Sequence, residues 1–510
     1  MRSMRWLAWL PLALLAALVV LPLGRLIAEG AGALSLAFLS DPYYRWRLLW
    51  SAGQALLTCL LALLFGVPVA WTLARLEFAG RRWLIRLGML PFVMPTLVAA
   101  MGVLALFGPQ GLTGLHGQDT PWLLLYGNLF YNLPLMVRAA QEGFARLPAH
   151  RLQAARSLGA SPWRVFWRIE LPGAMPWICS ALCLVFLYCF SGFGLALLLG
   201  GQHYATVEVE IYTLVAYELN LTDASSLALT VLLATGLAAL AYAWLERVLA
   251  RPLRGEPQAR VAAGDAWQYG LLCLSFVLLG LLALAPLAAI AWRALTAGAA
   301  WQVLTEPEVW RALYNTARFT LLALLGACLF GLAHAFAARR SVLLGALAFL
   351  PYAVSPVCVA FGLLLLYPGL SASLVMLLGA YTLLAYPFIA RGLSATLDAV
   401  PAHLPQAARS LGASPWRVVW RVLLPLAAPA LRRGMAFAAA TALGEFAVTL
   451  FLSRPEWMTL TTLIYQRLGR PGDLNQESAL VLSCLLMGLA MLAFVLIEWQ
   501  REEAGHADHR

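Results

Sequence analysis

Thirteen consecutive residues occur twice in this chain without a single change. Gln153–Val165 reads QAARSLGASPWRV, and Gln406–Val418 repeats it 253 positions later, about half of the 510 residues away. Weaker matches keep that offset on either side: Pro134/Pro387, Arg138/Arg391, Pro148/Pro401, Leu171-Pro172/Leu424-Pro425, Phe193/Phe446 and Ile211-Tyr212/Ile464-Tyr465. Upstream the spacing widens to about 260, for Leu90-Pro91 against Leu350-Pro351, because the first half has a longer segment around Gly108–Thr120. Any fold for this chain is therefore built twice, and the repeat governs how every local pattern is read.

The material between the repeats is apolar. Hydrophobic residues make up 62% and charged residues 12%, where a soluble domain carries roughly 25% charged. So little polar surface excludes a set of soluble domains, a disordered chain and a disulfide scaffold, and it fits a polytopic membrane protein. A spanning helix needs about 20 mostly apolar residues. Twelve segments qualify: 7–28, 51–74, 84–107, 121–140, 173–199, 225–249, 268–292, 314–338, 342–367, 371–390, 430–452 and 478–498. The first follows Arg2 and Arg5 as a signal peptide would, yet it is long and has a counterpart at 268–292, so it reads as a retained helix. The expectation is an all-α membrane protein of about twelve helices in two parallel six-helix domains. These are 1–250 (core about 47–248) and 267–510 (core about 310–499), with the polar linker 251–266 between them. Six spans per half make the repeat parallel, with its axis along the membrane normal.

All 35 basic residues are Arg; the chain has no Lys. With the N-terminus inside, 26 Arg fall in cytoplasmic segments, 8 in external ones and Arg318 within a span. The loop 200–224 has no Arg but carries Glu208, Glu210, Glu218 and Asp223. This is the positive-inside asymmetry, so both termini are expected in the cytoplasm and the net charge of +11 needs no nucleic-acid partner. The missing Lys excludes the P-loop, whose Lys reaches the β- and γ-phosphates. The eight Cys show no C-x-x-C spacing and read as small buried hydrophobes. No metal site, cofactor or catalytic residue is expected.

Each half then places one polar loop inside the cell, between its fourth and fifth spans. Its chemistry reads as two short helices. Pro148 opens the first and Gly159 closes it; Ser161-Pro162 caps the next, which runs to about Glu170 before Pro172 stops it. Pro401, Gly412, Ser414-Pro415 and Pro425 repeat the scheme. Ala154, Ala155, Ser157 and Gly159 let another surface approach closely, with Arg156, Arg164 and Arg168 around them. Two identical docking surfaces imply two identical partners, or one with twofold symmetry.

These loops resemble the EAA loop of type I ABC importer permeases, E-A-A-x-x-x-G-x9-I-x-L-P. Gln153, Ala154, Ala155, Gly159, Ile169, Leu171 and Pro172 fall on its register, as do Gln406, Ala407, Ala408, Gly412, Val422, Leu424 and Pro425. Gln stands in both copies where the family has its first Glu. The resemblance covers nearly the whole chain as two fused permease domains. It implies that the loops are coupling helices docking two copies of a separate ATPase subunit. It also implies a periplasmic substrate-binding protein as a further partner, and the bacterial inner membrane as location.

Within the family, the fused form resembles permeases for thiamine (and thiamine phosphate) and for ferric iron. The closer likeness, to thiamine permeases, rests on Phe107–Gly111, Phe130–Pro134 and Leu199–Glu208 continuing to Ile211-Tyr212. A cationic thiazolium suits aromatic faces and carboxylates; ferric iron would take the same Glu oxygens. Leu198–Gln202 has the look of the LSGGQ signature of ABC ATPases, but without a P-loop Lys it reads as an external loop meeting a binding protein or gating the pore. Buried polar groups in lipid are functional suspects. Glu445, whose repeat mate is Gly192, is expected at a central cavity or gate with Gly200, Gly201, Gln202 and Tyr212; Arg318, His334, Asn128 and Asn132 are weaker suspects. A twelve-helix secondary transporter is the alternative of another class; a membrane enzyme finds no supporting motif.

Overall fold

The computed structural model of the chain describes residues 9–31, 40–249, 259–339, 342–348, 350–370, 373–452 and 454–507. Most of the expected linker, 251–258, lies outside them. Among the described residues, nine helices are long and apolar enough to cross a membrane, and a bent pair brings the number to ten. The long helices are Trp9–Gly30, Pro42–Arg75, Pro162–Phe190, Leu221–Tyr242, Ala266–Thr296, Pro307–Ala338, Leu374–Ala399, Pro415–Leu443 and Asp473–Ala493. The 25-residue helix Pro121–Ala145 packs between Pro42–Arg75 and the helix that follows the first repeated loop.

Two of the twelve expected spans are not single helices. The run 84–107 is bent by 105° between Arg81–Val93 and Thr96–Phe107. Its repeat mate, 342–367, is divided into Val342–Leu347, Leu350–Ala353 and Pro356–Leu366. Pro91 and Pro95 in one copy, and Pro351 and Pro356 in the other, lack the N–H that would carry the ladder through. Two further spans are shifted. The expected 173–199 and 430–452 begin earlier, at Pro162 and Pro415, and end at Phe190 and Leu443; the chain turns and resumes as the short helices Gly194–Leu199 and Ala447–Leu452.

Pro172 and Pro425 do not stop their helices. In both copies the five residues before Leu-Pro form a π-turn, Phe166–Glu170 and Val419–Leu423, which absorbs the missing donor and lets the helix continue. The segment 200–224, expected as an external loop, is largely helical. It holds the helix Val207–Thr213, with Glu208 and Glu210 buried.

The halves are interlocked by their first helices. Trp9–Gly30 packs on Pro356–Leu366 of the second half, and Ala266–Thr296 packs on Thr96–Phe107 of the first. Glycines set the closeness of both contacts: a Cβ at Gly102 would stand 2.9 Å from the Pro286 carbonyl oxygen, and one at Gly362 3.0 Å from that of Pro22. A second repeated device fixes the helices after the turns. Ser51 Oγ accepts from Val207 N–H at 2.8 Å, and Thr316 Oγ1 accepts from Leu460 N–H at 2.9 Å. A two-residue parallel pairing of Leu76–Glu77 with Val261–Ala262 ties the end of Pro42–Arg75 to the chain entering the second half. Ala266–Thr296 starts there beside Trp71, crosses, and Pro307–Ala338 returns, so both repeated loops lie on one face.

Candidate functional site

The two loops have one conformation. Ala149–Ser157 and His403–Ser410 are the first helices. They end at Gly159 (φ +77°) and Gly412 (φ +80°), in the left-handed region that glycine enters without cost. Ser161 Oγ and Ser414 Oγ then accept from the N–H of Arg164 and Arg417, each at 3.4 Å, with Pro162 and Pro415 in the first helical position. Gln153, Ala154, Gln406 and Ala407 are exposed, as are both glycines; Ala155, Ala408, Ile169, Val422, Leu171 and Leu424 are half-buried, and Pro172 and Pro425 exposed. Between the two short helices Leu158 and Leu411 stand 87% and 88% exposed. Two leucines this bare on matching loops form a pair of apolar knobs with no covering partner among the described residues.

Underneath, the two copies are held differently. In the first, Glu170 is buried and meets Arg75 (Nε to Oε1 2.9 Å) and Trp71 (Nε1 to Oε2 2.6 Å). In the second, the residue at the same place is Leu423, fully buried in an apolar cluster.

At the centre, repeat mates touch each other. Phe193 and Phe446 stack with ring centroids 6.0 Å apart and 28° between planes, both buried. Residues 253 apart that meet across an interface straddle the pseudo-twofold axis. Each is flanked by its own tyrosine: Phe193 by Tyr212 and Phe446 by Tyr465, both at 5.4 Å. The result is an aromatic row, Tyr212–Phe193–Phe446–Tyr465, lying across the axis where a central path would run.

The expected gate residues divide. Tyr212 is in this row. Glu445 is beside it, half-buried, its Oε1 accepting from Val448 N–H at 2.9 Å to cap Ala447–Leu452. Gly200, Gly201 and Gln202 stand apart, in a turn where Gln202 N–H donates to Asp119 Oδ1 (2.9 Å) and Arg47 Nη2 donates to the Gln202 carbonyl (2.9 Å). The buried acids of this region also have partners. Glu210 pairs with Arg47 (3.2 Å) and accepts from Tyr43 Oη (2.8 Å); Glu208 accepts from Ser355 Oγ (2.7 Å), the cap of Pro356–Leu366. Asn128 and Asn132 join Gln54 in a buried chain, with Asn128 Nδ2 donating to Gln54 Oε1 at 2.7 Å and Asn132 Nδ2 to the Asn128 carbonyl at 3.0 Å. His334 meets the Leu344 carbonyl at 2.6 Å and stacks on Tyr386, whereas Arg318 is exposed. All eight cysteines are free, and Cys273 is exposed.

The profile of the binding-protein-dependent transport system inner membrane component matches residues 62–255 and 320–502, one copy in each half. The chain belongs to this family. It is thus a multi-pass permease subunit of an ABC transporter, as the resemblance of its loops implied. It is 26% identical over 501 residues to the thiamine transport system permease protein ThiP of Haemophilus influenzae, covering 91% of this chain and 90% of that one. It is 28% identical over 488 residues to ThiP of Escherichia coli, covering 89% of each. The molybdate/tungstate transport system permease protein WtpB of Thermococcus kodakarensis is 34% identical over 173 residues, 34% of this chain and 67% of that one.

Sequence reasoning did not place the axial phenylalanines among the candidate gate residues, although both appear among its repeat matches. The signal was available: only repeat mates can meet on the axis, and among matches outside the loops Phe193/Phe446 is an identical aromatic pair. It also missed the Arg47–Glu210 and Arg75–Glu170 pairs, whose members are more than 90 residues apart and follow no repeat.

Proposed function

We propose that the chain imports thiamine, free or phosphorylated, as the fused permease of a binding-protein-dependent ABC transporter. The supporting observation is that thiamine permeases match it along about nine-tenths of both chains, with the loops in register across both halves. Two copies of an ATPase subunit dock one on each loop, with Leu158 and Leu411 as apolar knobs and Gly159 and Gly412 holding the turn. The loop face and both termini are cytoplasmic, and a periplasmic binding protein delivers substrate to the opposite face. The domains divide at 251–266. ATP hydrolysis belongs to the partner, since this chain has no Lys to contact a nucleotide phosphate.

The aromatic row is the closed gate of this conformation. When ATP brings the two ATPases together, the loops move with them, and the halves part along the seam that Phe193 and Phe446 close. A thiazolium passing between them meets four aromatic faces and, beside Phe446, the Glu445 carboxylate; both favour a cation. In a strain lacking its thiamine permease, the chain co-expressed with the ATPase and binding protein encoded beside it restores uptake of radiolabelled thiamine. Uptake of ferric iron instead, or thiamine uptake that ionophores abolish and ATP depletion does not, overturns the reading.

A further inference from the structure

A groove of about 1520 Å³ runs along the first half between Pro42–Arg75, Pro162–Phe190 and Ala266–Leu279, from mid-membrane to the first repeated loop. Its inner part is lined by Leu60, Leu64 and Leu274, all exposed at the surface of the protein. Its loop end is lined by Trp71, Trp163 and Trp267, and by the charged groups Arg75, Arg156, Glu170 and Asp265. Along the first of these helices it extends from Leu60 to Arg75, roughly 22 Å at 1.5 Å per residue. That equals one leaflet of a bilayer, headgroup region included, which is roughly 20–22 Å. Tryptophans collect at the depth where an interface belongs.

The polar end is not self-satisfied. Arg75 is 5% exposed, and its Nη1 and Nη2 have no hydrogen-bond partner; Glu170 reaches only the Nε side. Glu170 is itself occupied by the Trp71 indole, and Asp265 caps Ala266–Leu279. The cationic donors left over are the Arg75 Nη groups and Arg156. A buried guanidinium with two idle nitrogens at the headgroup end of an acyl-shaped groove calls for an anionic oxygen.

We infer that this groove binds one glycerophospholipid of the loop-side leaflet, its acyl chains against Leu60, Leu64 and Leu274 and its phosphate at Arg75 and Arg156. Arg156, Ala160 and Trp163 belong to the first loop, so the bound lipid buttresses the surface that the ATPase is proposed to contact. The consequence for coupling rests on the function proposed above; the binding itself does not.

Gly270 tests the site without disturbing the fold, because it lines the groove and a Cβ there would meet nothing within 4 Å. Gly236, on Leu221–Leu249, is equally open and outside the groove. The purified full chain is delipidated, reloaded with phosphatidylglycerol or phosphatidylethanolamine vesicles, and counted for retained lipid by native mass spectrometry. Wild type and Gly236→Trp retain one phospholipid more than Gly270→Trp. Arg156→Gln weakens that retention roughly tenfold, as expected for a lost charged hydrogen bond, and diacylglycerol is not retained by wild type. Equal retention by Gly270→Trp and Gly236→Trp overturns the site; equal retention of diacylglycerol and phospholipid overturns the phosphate contact. Neither readout depends on transport, so a failed thiamine assay leaves both intact.

Discussion

The two halves agree at their loops, at the axis, at their crossed first helices and at the Ser51 and Thr316 hydrogen bonds, and differ at many other places where a polar side chain is buried. The first half carries Gln54, Asn128 and Asn132 in a hydrogen-bonded chain; the second has Phe319, Tyr381 and Ala385 at those places, Phe319 and Tyr381 meeting edge to face. The first buries Arg75 and Glu170; the second has Leu423 for Glu170 and Phe336 for Trp71. On the opposite face the same two elements are bridged with the charges exchanged. Arg47 of Pro42–Arg75 pairs with Glu210 of Val207–Thr213, whereas Arg467 of Leu460–Leu468 pairs with Glu306 and Glu308 at the start of Pro307–Ala338. Parts proposed to meet a shared partner, and parts that meet each other, stay alike. Parts that only hold one half together are free to find another solution.

The sharpest way to break this comparison is at Glu170. Glu170→Ala leaves Arg75 buried and uncompensated, and should cost about 3–5 kcal/mol. Arg75→Leu with Glu170→Leu removes both charges at once, placing at 170 the leucine that the second half has at 423, and should recover most of it. Thermal unfolding of the detergent-solubilised chain, followed by size exclusion, reads both. If the double variant is no better than the single one, the halves are not alternative solutions to one packing problem.

Next comes the likeness of the loops. Gly159→Val and Gly412→Val each force a branched side chain into the left-handed region, at about 1–2 kcal/mol of local strain. Nothing lies within 4 Å to clash, so the fold should survive. Each single variant should reduce copurification of the ATPase, and the double variant should abolish it. A loss confined to one loop would show the two to be unequal despite their identical sequence.

At the axis, Phe193→Ala and Phe446→Ala should act alike, each removing an aromatic contact of about 0.5–1.5 kcal/mol beyond its buried area. Both should raise ATPase activity in the absence of binding protein, measured in reconstituted vesicles. An effect from one and not the other would place the seam off the axis. The smallest effect is expected at Asn132→Ala. Its Oδ1 is already unpartnered, and a hydrogen bond within a membrane averages about 0.6 kcal/mol. Its melting temperature should scarcely move, and a large drop would make that chain more than local packing.

Hydropathy and the repeat together made the class, the two halves and the loop positions legible from the sequence. What they did not reveal was direction. A window average registers that 84–107 is apolar, but not that Pro91 and Pro95 turn the chain through 105° within it. Pro172 looked like a stop because a proline normally breaks the i to i−4 ladder; a π-turn over Phe166–Glu170 supplies an alternative that no composition rule anticipates. The acids at 208 and 210 read only as part of an Arg-free external loop, where nothing local signals burial. Their partners, Ser355 and Arg47, lie 147 and 163 residues away and only the fold brings them near. The axial pair was within reach of the sequence, through the symmetry argument rather than through polarity.

The crossed first helices impose an order in time. Pro22 is made early, but the backbone it rests against, at Gly362, is 340 residues further along the chain. At about 5–20 residues per second of synthesis, that helix waits on the order of tens of seconds in the bilayer without its seat. Pro286 suffers no such delay, for Gly102 precedes it. The later of these two locks therefore closes across the halves, and that helix of the first half stays unseated until the second half has been made as far as Gly362.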